Sequence, residues 1–218
     1  KIFSVSKAGK DYLVKKNLFP EKLVVNYSGL YDKGENPFDK NTFTIVSVSN
    51  IIPLKRVDKI IEILHYIDFQ VTWIHFGEGS IKDQLIADAK ALPGNISWKF
   101  NGQTSQDELN TFYSTHSVNL FLHLSETEGL PLAIVEALSY RIPEMACDVG
   151  GVGDAVNAQT GILLPEQFDV QQVANKISNF KAGSMNDMEF RKGVRAFWKA
   201  NFDAEKNYDF FYKEISGN

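Results

Sequence analysis

The chain has 218 residues, of which 44% are hydrophobic and 23% are charged, and a formal net charge of −4 at pH 7. This composition is ordinary for a globular protein and supplies enough apolar residues for a sizeable core. The small negative charge argues against a nucleic-acid-binding face, and no stretch has the pattern of a transmembrane helix or a signal peptide.

The first forty residues are predicted to form a strand, a helix, a second strand and a linker. The strands are 1–6 and 22–27, and the helix between them is 8–16. Segment 31–41 is rich in turn-forming and charged residues, which makes it the best candidate for a linker. Because the chain starts with a lysine that is predicted to lie within a strand, we expect it to be a fragment of a longer protein.

From residue 42 onward, predicted strands alternate with predicted helices, which is typical of a parallel sheet with helices on both faces. We therefore predict an α/β fold, a Rossmann-like open parallel sheet of about six strands.

Ser105 is the expected N-cap of the third helix, and Cys147 is expected to be a small buried residue at a strand end. As the single cysteine, it is compatible with a reducing compartment. The predicted strands are 42–49, 70–77, 96–100, the apolar run 120–124, a short strand ending at Cys147, and 161–164. The predicted helices are 55–67, 81–92, 107–114, one beginning at Pro131, 169–180, 188–200 and 204–215.

Each of the first five strands of this sheet ends in a polar or glycine-containing cluster. In a parallel sheet such ends lie along one edge, and ligands of open α/β proteins bind there. Glycines would let a ligand approach the backbone closely. The alternative is that loops between strands and helices are polar in general. The clusters are 49–50, 77–79, 101–103, 125–129 and 148–151.

Two acids follow the fourth strand, Glu128 in the loop and Glu136 in the helix that begins at Pro131. The free N–H groups and the dipole at this helix start favour an anion. A carboxylate beside a phosphate would repel it, so we expect both acids to accept hydrogen bonds from hydroxyl groups. Their spacing alone also fits two solvated surface glutamates.

These residues carry a resemblance to a known family. SETEGLPLAIVEALSYRIPEMACDVGGVGDAV resembles the E-x7-E region of retaining glycosyltransferases of family 4, with Glu128 and Glu136 as the two acids. The resemblance extends through VSNIIPLKRVDKIIEIL and IHFGEGSIKDQL and covers nearly the whole chain. It implies the GT-B architecture, in which two Rossmann-like domains enclose the site. Residues 1–36 would then be a remnant of the amino-terminal domain with the linker, 37–200 the donor-binding domain, and 201–218 a carboxy-terminal helix.

The resemblance implies a hexosyltransferase that uses a nucleotide-diphosphate sugar, with a uridine nucleotide expected, and it assigns roles to single residues. Lys55 would pair with the diphosphate of the donor, Glu128 would hold a hydroxyl of the transferred sugar, and Glu136 would hold the ribose. Gly102 and Gln103 would face the base. The other expected donor-binding residues are Asn50, Gly77, Ser125, Gly129, Leu130, Pro131 and Leu132.

No metal and no cofactor are expected from the resemblance. The expected partners are the nucleotide sugar and a glycan or lipid-linked acceptor held by the amino-terminal domain, so the isolated fragment should bind donor without transferring sugar. The four histidines lack metal-ligand spacing, and His123, just before the acidic loop, is the one that merits a test.

Four residues depart from the family pattern, and one of them is Asp154, which stands where the family usually has a glutamate. Asn50 stands where the family has an arginine and brings no charge, so stabilisation of the leaving group could be weaker or could depend on Arg56 instead. Arg141 replaces a glycine, and Glu144 replaces an apolar strand residue. Arg141 and Glu144 could pair with each other or could mark a rearranged strand.

Two other classes of function remain open from the sequence. An NAD-type dinucleotide-binding domain would need a glycine fingerprint after its first strand, where this chain has SVSNIIP. A non-catalytic sugar-nucleotide-binding module is kept open by the departures from the family pattern.

The basic segment FRKGVRAFWK is expected to be a solvated helix face, with contact to an anionic membrane surface as the alternative. Its charged residues are Arg191, Lys192, Arg195 and Lys199. The expected location is the cytoplasm. If the basic segment contacts a membrane, the expected location is the inner face of that membrane.

Overall fold

The computed structural model describes residues 1–217, which contain one small and one large parallel β-sheet. The small sheet pairs β1 (Ile2–Ser4) with β2 (Leu23–Val25), and α1 (Lys7–Lys15) joins them. The large sheet contains β3 (Thr44–Val48), β4 (Val71–Phe76), β5 (Ile96–Phe100), β6 (Leu120–His123), β7 (Glu144–Cys147) and β8 (Gly161–Leu164). The helices that follow α1 are α2 (Val57–Leu64), α3 (Lys82–Ala89), α4 (Gln106–Thr115), α5 (Leu132–Ser139), α6 (Val152–Ala155), α7 (Val170–Ala182), α8 (Met188–Asn201) and α9 (Ala204–Ser216).

The large sheet has the strand order β5-β4-β3-β6-β7-β8, and each neighbouring pair is parallel. The chain runs outward from β3 to β5, returns to the centre, and then runs outward from β6 to β8. This is the Rossmann order, and its direction reverses between β3 and β6. The predicted fold class and six-stranded sheet are confirmed. The division into domains at residues 36 and 200 stays a prediction.

The two central strands are buried on both faces. Ile45 and Val46 of β3 and Leu120, Phe121 and Leu122 of β6 have no exposed surface. Consecutive apolar residues suit such strands, because side chains alternate between the two faces and both faces lie under helices. Because β3 and β6 are parallel neighbours, their carboxyl ends lie side by side.

Buried polar side chains hold the carboxyl end of β3. Trp73 Nε1 donates to Ser47 Oγ at 3.0 Å, and Ser47 Oγ lies 2.8 Å from Nδ1 of His75. His75 Nε2 lies 3.1 Å from the carbonyl oxygen of Ser49. Burial lowers the pKa of His75 from 6.5 to about 4, so its ring is neutral near pH 7. A neutral ring donates from one nitrogen and accepts at the other, which fixes Ser49 and its neighbour Asn50.

Helix α2 begins later than the sequence predicts. Residues 53–55 form a 3₁₀ turn, in which Lys55 N donates to Ile52 O and Arg56 N to Pro53 O, each at 3.0 Å. Arg56 then adopts a left-handed conformation with φ of 50°, and α2 starts at Val57. Lys55 therefore precedes the helix and lies in a short turn against the end of β3.

Other element boundaries agree with the sequence to within a few residues. For example, Pro131 is predicted to be the first residue of α5 and is instead its N-cap, with φ −71° and ψ 117°. Ser105 is the predicted N-cap of α4 and forms a capping box with Glu108, which confirms that prediction. Cys147 is buried at the end of β7, as expected. Among residues 1–217, no helix has the length and apolar character needed to cross a membrane.

Arg141 and Glu144 do not pair with each other, and β7 is not rearranged. Arg141 Nη1 lies 2.5 Å from Glu35 Oε2, and its Nε and Nη2 donate to the carbonyl oxygen of Asn36 at 3.2 and 3.1 Å. Arg141 has φ of 58°, a conformation that favours glycine. Glu144 is in register with both neighbouring strands, and its buried carboxyl has no hydrogen-bond partner among the described residues. Burial raises the pKa of Glu144 well above its usual value.

The predicted linker is fixed to the large sheet through Asn36, which has no exposed surface. Its Nδ2 donates to the carbonyl oxygens of Tyr113 and His116 at 2.6 and 2.7 Å. Its Oδ1 accepts from Val118 N at 3.0 Å and from Arg191 Nη2 at 2.8 Å. Asn36 therefore anchors the segment after β2 near the amino end of β6.

The basic residues of α8 do not form a solvated face. Arg191 has no exposed surface, and Arg195 Nη2 donates to both carboxylate oxygens of Asp32 at 2.7 Å. Lys192 and Lys199 remain exposed. The expected solvated or membrane-facing basic surface is therefore wrong for both arginines, because the linker supplies partners for them.

Candidate functional site

A cavity of about 490 Å³ opens where the chain direction reverses, outside the carboxyl ends of β3 and β6. Four of the five predicted clusters contribute to its wall, and the fifth packs behind it, where Gly151 N donates to Gly129 O at 2.6 Å. The clusters therefore converge as the sequence predicts. The lining residues are Val48, Ser49, Asn50, Lys55, Phe76, Gly77, Glu78, Gln103, Thr104, Leu109, His123, Glu128, Pro131, Leu132 and Ala133.

Glu128 is the centre of a network of side chains in this cavity. Its Oε1 lies 2.5 Å from Lys55 Nζ and 2.7 Å from His123 Nε2, and Ser125 Oγ lies 3.0 Å from His123 Nε2. Burial alone would raise the pKa of Glu128, but hydrogen bonds from His123, Lys55 and Ser125 outweigh burial and lower the pKa to about 2. Glu128 is therefore a carboxylate at neutral pH.

Lys55 is the one lysine or arginine side chain that lines this cavity within the part of the chain that the structure describes. Arg56, the alternative source of the positive charge that is missing at Asn50, does not line the cavity. Its Nε lies 2.9 Å from Glu126 Oε1, and its Nη1 donates to Glu166 O at 2.8 Å. These partners hold Arg56 outside the cavity and favour the other alternative, in which stabilisation of the leaving group is weaker.

The start of α5 adds positive character beside Lys55. The N–H groups of Leu132 and Ala133 belong to the first turn and have no partner within their helix, and both residues line the cavity. The carbonyl oxygen of Pro131 accepts from Ile134 and Val135 at 3.1 and 3.3 Å, so the intrahelical hydrogen bonds begin there. Free N–H groups, the helix dipole and one ammonium together form a site for an anion.

Two glycines, after β4 and after β5, allow close approaches by Ser49 and by the side chain of Glu78. Gly77 has φ of 150°, and a Cβ there would lie 1.9 Å from Ser49 O. Gly102 has φ of 74°, and a Cβ would lie 2.8 Å from Glu78 Oε1. Gly77 N also donates to Gly102 O at 2.9 Å. A larger residue at Gly77 would separate β4 from the turn after β3.

Glu136 lines a second, adjoining cavity of about 420 Å³. Burial raises the pKa of Glu136 to about 7, although Gln106 Nε2 donates to its Oε1 and opposes the shift. Both acids thus line cavities, so they are not solvated surface glutamates, and they occupy neighbouring lobes. The residues common to both lobes are Val48, Thr104, Leu109, Leu132 and Ala133.

The predicted site residues divide into those that line a cavity and those that support its wall. Gly102, Ser125, Gly129 and Leu130 line neither cavity. Ser125 is buried and acts through His123 and Glu128, while the carbonyl of Gly129 faces the glycine loop. The predicted residues that line the first cavity are Asn50, Lys55, Gly77, Gln103, Glu128, Pro131 and Leu132.

Sequence reasoning missed several lining residues. Thr104 and Leu109 face both lobes, and their positions after β5 and on α4 would have indicated this. Tyr31 and Lys33 line the second lobe from the predicted linker, and no sequence signal places them there. Within residues 1–217, no group of three or more His, Cys, Asp or Glu residues is arranged to hold a metal ion.

Residues 31–197 match the family model described as glycosyl transferases group 1. The chain belongs to this family. This group 1 glycosyltransferase chain has the α/β fold of a GT-B Rossmann-like half, in agreement with the fold expected from the sequence.

Curated relatives of this group 1 glycosyltransferase chain are longer than the chain itself. It is 24% identical over 162 residues to a putative teichuronic acid biosynthesis glycosyltransferase, TuaC, of Bacillus subtilis, covering 74% of the chain and 39% of TuaC. It is 28% identical over 198 residues to an uncharacterized glycosyltransferase of Methanocaldococcus jannaschii, covering 88% of the chain and 51% of that protein. The chain thus spans about half of these relatives or less.

Solved structures extend the likeness over nearly the whole group 1 glycosyltransferase chain. Anabaena HepE in complex with UDP superposes with a TM-score of 0.84 at 20% identity, covering 99% of this chain and 63% of HepE. A second structure of HepE, with UDP-glucose, gives a TM-score of 0.82 with the same identity and coverage. At this identity, the likeness shows a shared fold.

Proposed function

We propose that this chain is the donor-binding part of a retaining hexosyltransferase that uses a UDP-sugar. The observation that carries the proposal is the Lys55–Glu128 ion pair, which lies in the cavity at the β3–β6 reversal, beside the free N–H groups of α5. Cation and helix start suit a diphosphate, and the carboxylate suits a sugar hydroxyl. Uridine is supported by the UDP and UDP-glucose complexes of the structurally similar HepE.

The two lobes match the parts of a nucleotide sugar. The diphosphate would lie between Lys55 and the N–H groups of Leu132 and Ala133, and the sugar would extend toward Glu128. The ribose would then reach Glu136 in the second lobe. Gln103 would line the space for the base, with Gly102 shaping the loop behind it.

Retention of configuration is proposed because neither acid of the site, among the described residues, is well placed as the general base that an inverting enzyme would need. Glu128 is held by Lys55 and His123, and a carboxyl with a pKa of about 2 is a poor general base at neutral pH. Glu136 lies in the other lobe. The departing phosphate oxygens would then take the acceptor's proton on the face where the sugar–phosphate bond breaks, and Lys55 would stabilise their charge.

The absent charge at Asn50 favours a second candidate, a sugar-nucleotide-binding module without transfer activity. A single ammonium in the cavity stabilises a leaving diphosphate less than two cations would. Sugar transfer by a protein that contains this chain would exclude this candidate. A dinucleotide-binding domain is disfavoured, because Lys55 and an acidic loop occupy the cavity where a glycine fingerprint would be needed.

Acceptor, location and metal independence are further parts of the proposal. The acceptor would be a glycan or a lipid-linked glycan, bound by residues outside this chain. The single, buried Cys147 fits a reducing compartment such as the cytoplasm. We propose no membrane contact through α8, because Arg191 and Arg195 face the protein.

Calorimetry and thermal unfolding of the 218-residue chain test the proposed function. We expect UDP and UDP-glucose to bind and to raise the melting temperature, because a ligand at about 100 times its Kd adds about 2.7 kcal/mol of stability. A chelator should leave both results unchanged, and NAD should have no effect. Binding of NAD without UDP, or no nucleotide binding at all, would contradict the proposal.

The role proposed for Glu136 predicts a pH dependence of donor binding. Burial raises the pKa of Glu136 to about 7, so the carboxylate that accepts from the ribose hydroxyls becomes the main form above that pH. UDP-glucose affinity should therefore rise about tenfold from pH 6 to pH 8, following the carboxylate fraction. Calorimetry should show this rise in the wild type but not in Glu136→Gln. UDP-glucose is the probe because its diphosphate does not titrate in this range.

A further inference from the structure

The ammonium of Lys55 has to serve two anions in the proposed complex. In this structure its Nζ lies 2.5 Å from Glu128 Oε1. A diphosphate carries more charge than a carboxylate, so a bound donor would draw Lys55 toward itself. Glu128 would then lose its cationic partner inside a half-buried site, where an unpartnered carboxylate is costly.

His123 contacts Glu128 independently of Lys55. Its Nε2 lies 2.7 Å from Glu128 Oε1 and 3.0 Å from Ser125 Oγ. The histidine is 5% exposed, belongs to the central strand β6, and its ring lies nearly parallel to that of Phe121. A lysine has a flexible four-carbon stem, whereas a buried histidine on a strand keeps its position when the donor enters.

The two contacts leave one carboxylate oxygen of Glu128 available. Lys55 and His123 both reach Oε1, and neither contacts Oε2. With a proton on Nε2, His123 donates to Oε1 and fixes the carboxyl plane. Oε2 is then the atom that can accept from a sugar hydroxyl.

We propose that His123 is a positioning residue that holds Glu128 in its sugar-binding orientation once Lys55 has turned to the diphosphate of the donor. The inference rests on the proposed function and deepens it. His123 acts through Glu128 on the part of the site that meets the sugar, and any effect on the nucleotide comes only through the Lys55–Glu128 pair.

A pair of variants tests this role, His123→Gln and His123→Asn. A glutamine amide reaches about as far as the Nε2 of histidine, whereas an asparagine amide is one methylene shorter and falls short of Glu128. We expect His123→Asn to lower UDP-glucose affinity about tenfold more than UDP affinity, and His123→Gln to restore most of the loss. His65→Asn, at an exposed site on the far end of α2, is the control and should bind both ligands as the wild type does.

The outcomes separate this inference from the proposed function. Equal weakening of UDP and UDP-glucose in His123→Asn would indicate a merely structural role and would overturn the inference. Unchanged UDP-glucose affinity in that variant, or no rescue by His123→Gln at an unaltered melting temperature, would overturn it as well. If the wild type binds neither ligand, the proposed function fails first and the inference fails with it.

Discussion

Replacing Lys55 by alanine is expected to weaken UDP binding by about 100-fold, which corresponds to about 2.7 kcal/mol. Lys55 is the cation in the wall of the first cavity, and a hydrogen bond to a charged group contributes about 1.5–3 kcal/mol. Its loss also leaves the Glu128 carboxylate without its ammonium partner, facing the diphosphate. Calorimetric titration of the variant with UDP measures the effect.

Lys59→Ala is the matched control for this experiment. Lys59 lies on the exposed side of α2 and pairs with Glu62 at 2.7 Å, outside both cavities. Its removal takes away the same charge at a nearby position, so the net charge changes equally while the contacts inside the cavity stay intact. Equal UDP affinities for both variants would show that Lys55 does not bind the diphosphate, and the proposed site would be wrong.

The sheet could be predicted from the sequence because its signals are local. The largely apolar run 120–124, with His123 as its one polar residue, indicates a strand covered on both faces, and β6 (Leu120–His123) occupies that position. Ser105 followed by Glu108 three residues later indicates a helix start, and α4 begins there. Since strands alternate with helices, the polar clusters at the strand ends had to meet along one edge.

Partners distant in sequence could not be predicted in this way. Arg141 contacts Asn36 across 105 positions, and Arg191 contacts the same asparagine across 155. A charged residue on a helix is predicted to face solvent as long as its partner, distant in the sequence, is unknown. For Glu144 the missing information is the lack of any partner. No residue near it in the sequence indicates that its carboxyl would be buried without a hydrogen bond.

The direction of individual side chains was also beyond the sequence. The loop 125–129 lies at the first cavity, but Ser125 and Gly129 lie behind its wall while Glu128 lines it. Spacing along α5 did not show that Glu136 would enter a second lobe. The conformation of a loop sets the direction of its side chains. In this chain the loop 125–129 is held at its end by the hydrogen bond from Gly151 N to Gly129 O.

Replacing Glu128 by glutamine is expected to act in opposite directions on the two ligands. The glutamine is nearly isosteric and uncharged, so it releases Lys55 from its 2.5 Å ion pair. It also removes a negative charge next to the diphosphate. UDP affinity should therefore rise about tenfold, while the affinity ratio of UDP-glucose to UDP should fall about tenfold, because an amide oxygen is a weaker acceptor than a carboxylate.

Glu126→Gln provides the control in the same loop. Glu126 pairs with Arg56 at 2.9 Å, its side chain is 44% exposed, and it lines neither cavity. It should bind both ligands as the wild type does. If Lys55 and Glu128 only stabilised the loop as a pair, Glu128→Gln would weaken UDP binding as Lys55→Ala does. Opposite signs for the two variants are expected only if the carboxylate and the diphosphate compete for the same ammonium.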